Sequence, residues 1–180
     1  IDCHNHVGVC IKAYARLEYP YAETLESLYH KQLAAGVDLS IVFPFTSDLH
    51  FNIKKLAATG VNTTESSPIS SAPYKIENEL VMHEVFRFNP ELAHRFIPFV
   101  SVDTERKVSA QIKALESLEQ TYPVYGIKIN PTVAQSRTAA LLTKGRAFLD
   151  YAAERNMPLL FHTSPLADDH YSYAGDAFKV

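Results

Sequence analysis

The stretch Val37-Asp38-Leu39-Ser40-Ile41-Val42-Phe43-Pro44 decides how the chain is read. Leu39, Ile41, Val42 and Phe43 make it nearly continuous in apolar residues, and a proline closes it. A strand that is apolar on both faces suits a parallel sheet covered by helices on both sides. Upstream, residues 1–7 read as a short strand that runs into a loop. Residues 21–35 read as a helix, with Leu25, Leu28, Tyr29 and Leu33 on one face and Gly36 as the stop. Downstream, helices over 75–89, 107–122 and 138–156 alternate with strands over 95–102, 124–130 and 158–163. Residues 172–180 read as the start of another helix. The stretch 45–73 reads as one long loop, polar in its second half, and loops of that length inside a compact domain are usually functional.

Strand and helix alternate five times, the pattern of βαβ units with a parallel sheet. No glycine-rich fingerprint follows the first strand, so a dinucleotide-binding open sheet loses support. The expected fold is therefore α/β, a (β/α)8 TIM-type barrel, of which residues 1–180 supply about the first five βα units as a single domain. Such barrels run to about 250 residues. With Val180 falling in mid-helix, the natural protein is expected to continue by on the order of 100 residues.

Composition narrows the partners. Hydrophobic residues are 47% and charged ones 21% of 180, an ordinary globular balance. A formal net charge of -3 gives no reason to expect nucleic acid or an anionic membrane. No apolar run approaches the roughly 18 residues of a membrane span. Cys3 and Cys10 are the only cysteines, no disulfide framework, and a reducing, cytoplasmic setting fits. The expected partner is a small-molecule substrate, with a homo-oligomer left open.

Chemistry concentrates at the strand ends. In Asp2-Cys3-His4-Asn5-His6, alternation places Asp2, His4 and His6 on one face of the first strand. Two imidazoles so placed can reach one metal ion. In Met157-Pro158-Leu159-Leu160-Phe161-His162-Thr163 an apolar strand ends in His162, which supplies a third nitrogen. Three protein ligands plus water is the usual catalytic zinc set, so a divalent metal, most readily zinc, is the expected cofactor, held by His4, His6 and His162. Lys128 and Asn130 share a parity opposite to Ile127 and Ile129 and turn inward. With His50, in the loop after the second strand, they are the candidate substrate-binding residues. A buried lysine needs a partner, and an ion pair with Asp2 is the structural alternative for Lys128. For His50 the alternative is a solvated loop histidine, and His170 is similar. Asp103 is expected to cap a helix together with Thr104. Cys3 is expected in the core, and His30, His83 and His94 are expected to lie away from the mouth.

The segments Asp2-Cys3-His4-Asn5-His6-Val7-Gly8, Gly126-Ile127-Lys128-Ile129-Asn130-Pro131 and Met157-Pro158-Leu159-Leu160-Phe161-His162-Thr163 resemble strands one, four and five of the amidohydrolase superfamily, in its amidohydrolase-2 branch of decarboxylases and hydrolases. The resemblance implies that His4, His6 and His162 bind metal. It implies hydrolysis of an amide, ester or lactone of a small, carboxylate-bearing substrate, or non-oxidative decarboxylation of an aromatic or enoic acid. It also implies a further histidine after strand six and an aspartate after strand eight, both beyond Val180. No proton-handling residue is assigned within the chain. Two other readings remain: a barrel that binds a ligand without metal or catalysis, and a metal-dependent nuclease, against which the net charge speaks.

Overall fold

The computed structural model describes residues 1–19, 22–164 and 170–180. The chain opens with β1 (Asp2–Val9), a short helix α1 (Ile11–Ala15), and β2 (Ala22–Glu23), which turns back antiparallel onto Gly8 and Val9. Then come α2 (Leu25–Ala35), β3 (Ser40–Pro44), α3 (Ile53–Thr59) and α4 (Lys75–His83). A π-type turn (Glu84–Phe88) and a 3-10 turn (Pro90–Arg95) lead to β4 (Phe96–Pro98) and β5 (Val100–Val102). The rest is α5 (Val108–Glu119), β6 (Ile127–Ile129), α6 (Pro131–Ala134), α7 (Arg146–Glu154), β7 (Leu159–Phe161) and α8 (Ala174–Ala177).

The expected third strand is present but broken at Phe99. β4 pairs in parallel with β3, and β5 pairs in parallel with β6. The Phe99 N–H still donates to the Val42 carbonyl at 2.8 Å, while the next N–H, of Val100, donates to Gly126 at 3.0 Å. One extended segment thus hands the ladder from a first sheet, ordered β2-β1-β3-β4, to a second, ordered β5-β6-β7. Apart from β2, the strands lie side by side in chain order. A doubly wound sheet would reverse that order at a switch point. The architecture is mixed α/β with parallel strands, an open arc consistent with part of a barrel. Among the described residues the arc does not close.

Two apolar layers hold the helices to the outer side. Val7, Leu25, Leu28, Val42, Val81, Val85 and Phe96 join β1, β3 and β4 to α2 and α4. Val100, Val102, Leu115, Ile127, Ile129 and Phe148 join the second sheet to α5 and α7. Outward residues of β6 are therefore Ile127 and Ile129, and Lys128 points to the inner side, as its parity predicts. Among the described residues no helix is long and apolar enough to cross a membrane.

Several boundaries differ from expectation. Tyr21, the expected start of the first helix, lies outside the described residues. α2 begins at Leu25, where the Thr24 hydroxyl accepts the Ser27 N–H at 3.1 Å and caps it. Leu33 is exposed, and Gln32 is buried in its place, donating to the Ser40 hydroxyl at 2.7 Å. The stretch 45–73 is no open loop. It contains α3, capped by Asn52 and stopped by Gly60 in the left-handed region at φ 71, and it closes through a bridge between Phe51 and Thr64. Reciprocal amide bonds tie it to the α6 region: Asn62 Nδ2 to the Val133 carbonyl at 2.8 Å and Gln135 Nε2 to the Gly60 carbonyl at 2.7 Å. The expected helix over 138–156 is a 3-10 turn (Thr138–Leu142) followed by α7. A side chain at Gly145, between the two, would press on the Thr104 carbonyl at 2.7 Å, so this close approach needs glycine. Cys3 is exposed rather than in the core, with its neighbours Asp2 and His4 at the start of β1.

The N-terminal turn of α4 supplies a lock. The Asn78 side chain accepts the Ser101 N–H at 2.8 Å and donates to the Ser101 carbonyl at 3.0 Å, taking the ladder position that β3 vacates after Pro44. Beside it, Glu77 accepts the Leu49 N–H at 3.0 Å through Oε1, while Oε2 is buried without a partner. Burial raises the Glu77 pKa from 4.5 to about 7. Between those values the folded chain holds a proton that the unfolded chain has lost, so this group's contribution to stability falls as pH rises through that window. Glu77→Gln is expected to remove the slope. Urea unfolding at about pH 4 and about pH 8 should show the variant gaining up to about 3 kcal/mol on the wild type at the higher pH.

Candidate metal centre

The site is built around one ring. His6 and Phe43 are register partners across β1 and β3, so both face inward. Phe43, fully buried, meets the His6 ring edge-on at 4.7 Å and the His4 ring at 5.3 Å. The Lys128 ammonium reaches across from β6 and sits 4.8 Å above the same ring. Phe45 stacks on His6 at 5.0 Å. His162 follows β7, where its N–H donates to the Ile129 carbonyl at 2.9 Å and extends the parallel ladder by one residue. The curvature of the arc brings its ring to 6.0 Å from His4, and His4 lies 5.2 Å from His6.

Burial and neighbouring cations favour the neutral form of the two imidazoles on β1. Burial, with some repulsion from Lys128 and His162, lowers the His4 pKa. Burial lowers His6 to about 4, against the pull of its hydrogen bond to Pro44. His6 Nδ1 lies 3.1 Å from the Pro44 carbonyl, which can only accept, so Nδ1 carries the proton and Nε2 presents its lone pair. A metal-binding histidine is commonly oriented in this way. Two imidazoles sharing a zinc ion at about 2.0–2.1 Å place their ring centres roughly 5–6 Å apart, and both measured separations lie in that range. The three donors thus fit a divalent cation in type and spacing, and His6 in its tautomer. Among the described residues, however, no three His, Cys, Asp or Glu side chains already stand as a finished ligand group.

The substrate candidates separate. Lys128 is 0% exposed and its Nζ has no hydrogen-bond partner. The expected ion pair with Asp2 is absent: Asp2 is exposed, and its carboxylate accepts the backbone N–H of His4 at 3.1 Å. Burial lowers the Lys128 pKa to about 8. Asn130 is buried and its side-chain oxygen caps α6, accepting the Val133 N–H at 3.4 Å. His50 is buried, not solvated: its Nδ1–H donates to the Ser70 carbonyl at 2.8 Å, and Nε2 has no partner. Asp103 caps the turn before α5 rather than the helix, accepting the N–H groups of Glu105 and Arg106 and pairing with the Arg106 guanidinium at 2.7 Å. His170, His30 and His94 are exposed, and His83 packs beside Phe88 and Tyr122. Phe43 and Phe45, the walls of the site, were not singled out from the sequence; their shared parity with Ile41 is the signal that could have found them.

The arc of parallel strands in chain order defines the class of fold, a mixed α/β architecture with parallel sheets, consistent with part of a barrel. No protein-family model and no curated protein matches the chain. Among solved structures, the fold is similar to a probable 2-pyrone-4,6-dicarboxylic acid hydrolase from Acinetobacter baumannii, crystallised with citric acid bound. The TM-score is 0.50 and the identity 14%, over 91% of this chain and 49% of that one. The chain thus spans about half the length of that protein, and at this identity the likeness speaks for the fold alone.

Proposed function

We propose that the chain is part of a metal-dependent hydrolase of the amidohydrolase-2 type, acting on an amide, ester or lactone that bears a carboxylate. One observation carries the reading: the imidazoles of His4, His6 and His162, from the first and last of the described parallel strands, gather beside Phe43, with an ammonium that has no hydrogen-bond partner above its ring. His4, His6 and His162 would hold the cation. When bound, it supplies Lewis acidity toward a carbonyl oxygen and acidifies water. Lys128 orients the substrate, since a carboxylate gives its buried ammonium the charge-assisted bonds it lacks. Phe43 and Phe45 exclude water and so strengthen both interactions. The relative in fold is named as a dicarboxylic acid hydrolase, which supports a carboxylate substrate here.

The test is metal analysis joined to an assay on carboxylate-bearing lactones and esters. Purified protein is expected to carry a divalent cation, to lose hydrolysis on chelation and to regain it on adding zinc. Undiminished hydrolysis by the stripped protein would overturn the metal. Release of carbon dioxide in place of hydrolysis would reassign the chemistry to decarboxylation.

A further inference from the structure

We propose that a cavity on the outer side of the first sheet, between β1, β2 and α4, is a second small-molecule site that takes an uncharged apolar ligand about the size of two fused rings. Its volume is about 380 Å³, within the range of roughly 300–1,000 Å³ usual for ligand pockets. An apolar cavity of about 150 Å³ takes one benzene ring, so this one has room for two. One face of α4 and the turn after it forms a wall: Glu77, Leu80, Val81, Glu84 and Phe88 follow helical spacing. Val7, Val9, Phe45 and Leu49 stand among the residues opposite, and the surface is mostly hydrocarbon. Val9, Leu80 and Phe88 are each more than half exposed, so the hydrocarbon at the rim stays in water until something apolar covers it.

Charge decides against an ion. No Lys, Arg or His lines the cavity, so an anionic head finds no partner there. Four carboxylates do line it, but each is engaged by the protein itself. Glu23 binds Ser27 and Lys31, and Glu84 accepts the Leu25 N–H at 3.3 Å. Asp48 Oδ2 accepts the N–H groups of Ile11 and Lys12 at 2.6 and 3.2 Å, and Glu77 Oε1 accepts that of Leu49. The remaining oxygens of Asp48 and Glu77 are closed off from solvent, so they offer a cationic head no contact. A charged head would leave water without a compensating partner, a cost that an uncharged ligand escapes. The ligand class thus differs from the carboxylate that Lys128 selects on the inner side of the sheet. The proposal does not depend on a cation at the histidines. Phe45 is common to both sites, as a wall here and as the ring stacked on His6 there.

The test is isothermal titration of the full chain at pH 7 with 2-naphthalenemethanol and its isosteres 2-naphthoate and 2-naphthylmethylammonium. The alcohol is expected to bind one to one, and both ions at least about tenfold more weakly. Leu80→Trp adds bulk to the wall and Leu80→Asp adds a charge. Each should weaken the alcohol by about tenfold or more with the thermal transition retained, since the position is half exposed. Leu33→Asp, exposed on α2 and outside the cavity, and Lys128→Met, on the inner side, should leave the alcohol isotherm unchanged. Absence of alcohol binding, an ion bound as tightly as the alcohol, or alcohol binding unaltered in both Leu80 variants would overturn the proposal. So would a dimer in sedimentation that Leu80→Asp abolishes and the alcohol does not disturb, which would give the cavity to a second copy of the chain.

Discussion

His162→Ala is expected to empty the proposed centre of its cation and to lower turnover by on the order of 100-fold or more, with the fold intact. The side chain belongs to neither apolar layer, and the bond it makes through its backbone to Ile129 survives the change. His4→Ala should behave alike, since His4 is exposed at the mouth. His94→Ala, on an exposed turn remote from Phe43, is the control and should change nothing. Elemental analysis beside circular dichroism melting separates lost metal from lost structure. Unchanged metal content in both His4→Ala and His162→Ala would refute the ligand assignment.

Lys128→Met should move stability and activity in opposite directions. A buried ammonium without a hydrogen bond costs about 1–3 kcal/mol or more, and the cation–π contact with Phe43 offsets only part of it. Methionine keeps the length of the side chain and removes the charge, so the variant should unfold at higher temperature. The same change removes the carboxylate anchor and should lower kcat/KM about 10–100-fold, with metal content unchanged. An ion-paired lysine would do the reverse and lose stability. A destabilised variant with unaltered KM would rule out substrate binding at Lys128.

The features legible in the sequence were those set by short-range rules. Apolar runs marked the parallel strands after the first, and parity turned His4, His6 and Lys128 inward. What escaped depends on distant partners. The break at Phe99 arises because consecutive N–H groups bond to two different strands, and a local pattern has no trace of that. α3 has a cap and a stop, Asn52 and Gly60, but its 7 residues are too few for Ile53, Leu56 and Ala57 to mark a face by periodicity. His50 looked solvated because the groups that enclose it, Glu65 and Ser70, lie 15 and 20 residues further on. The inward course of Lys128 was readable, whereas its lack of a partner follows from where the carboxylates end up.

The segment from β4 to β5 carries a mechanical consequence. His4 and His6 ride on the first sheet, while Lys128 and His162 ride with the second, and among the described residues this segment alone supplies a strand to both. The jaws that face each other across Phe43 are thus two plates on a shared rib. The Phe99 ring sits at the rib and lies so close to Gly126 that a methyl group there would strike it at 2.5 Å. Gly126 therefore acts like the set screw of a pair of calipers: its missing side chain fixes the opening angle of the plates, and with it the gap a bound ion has to span.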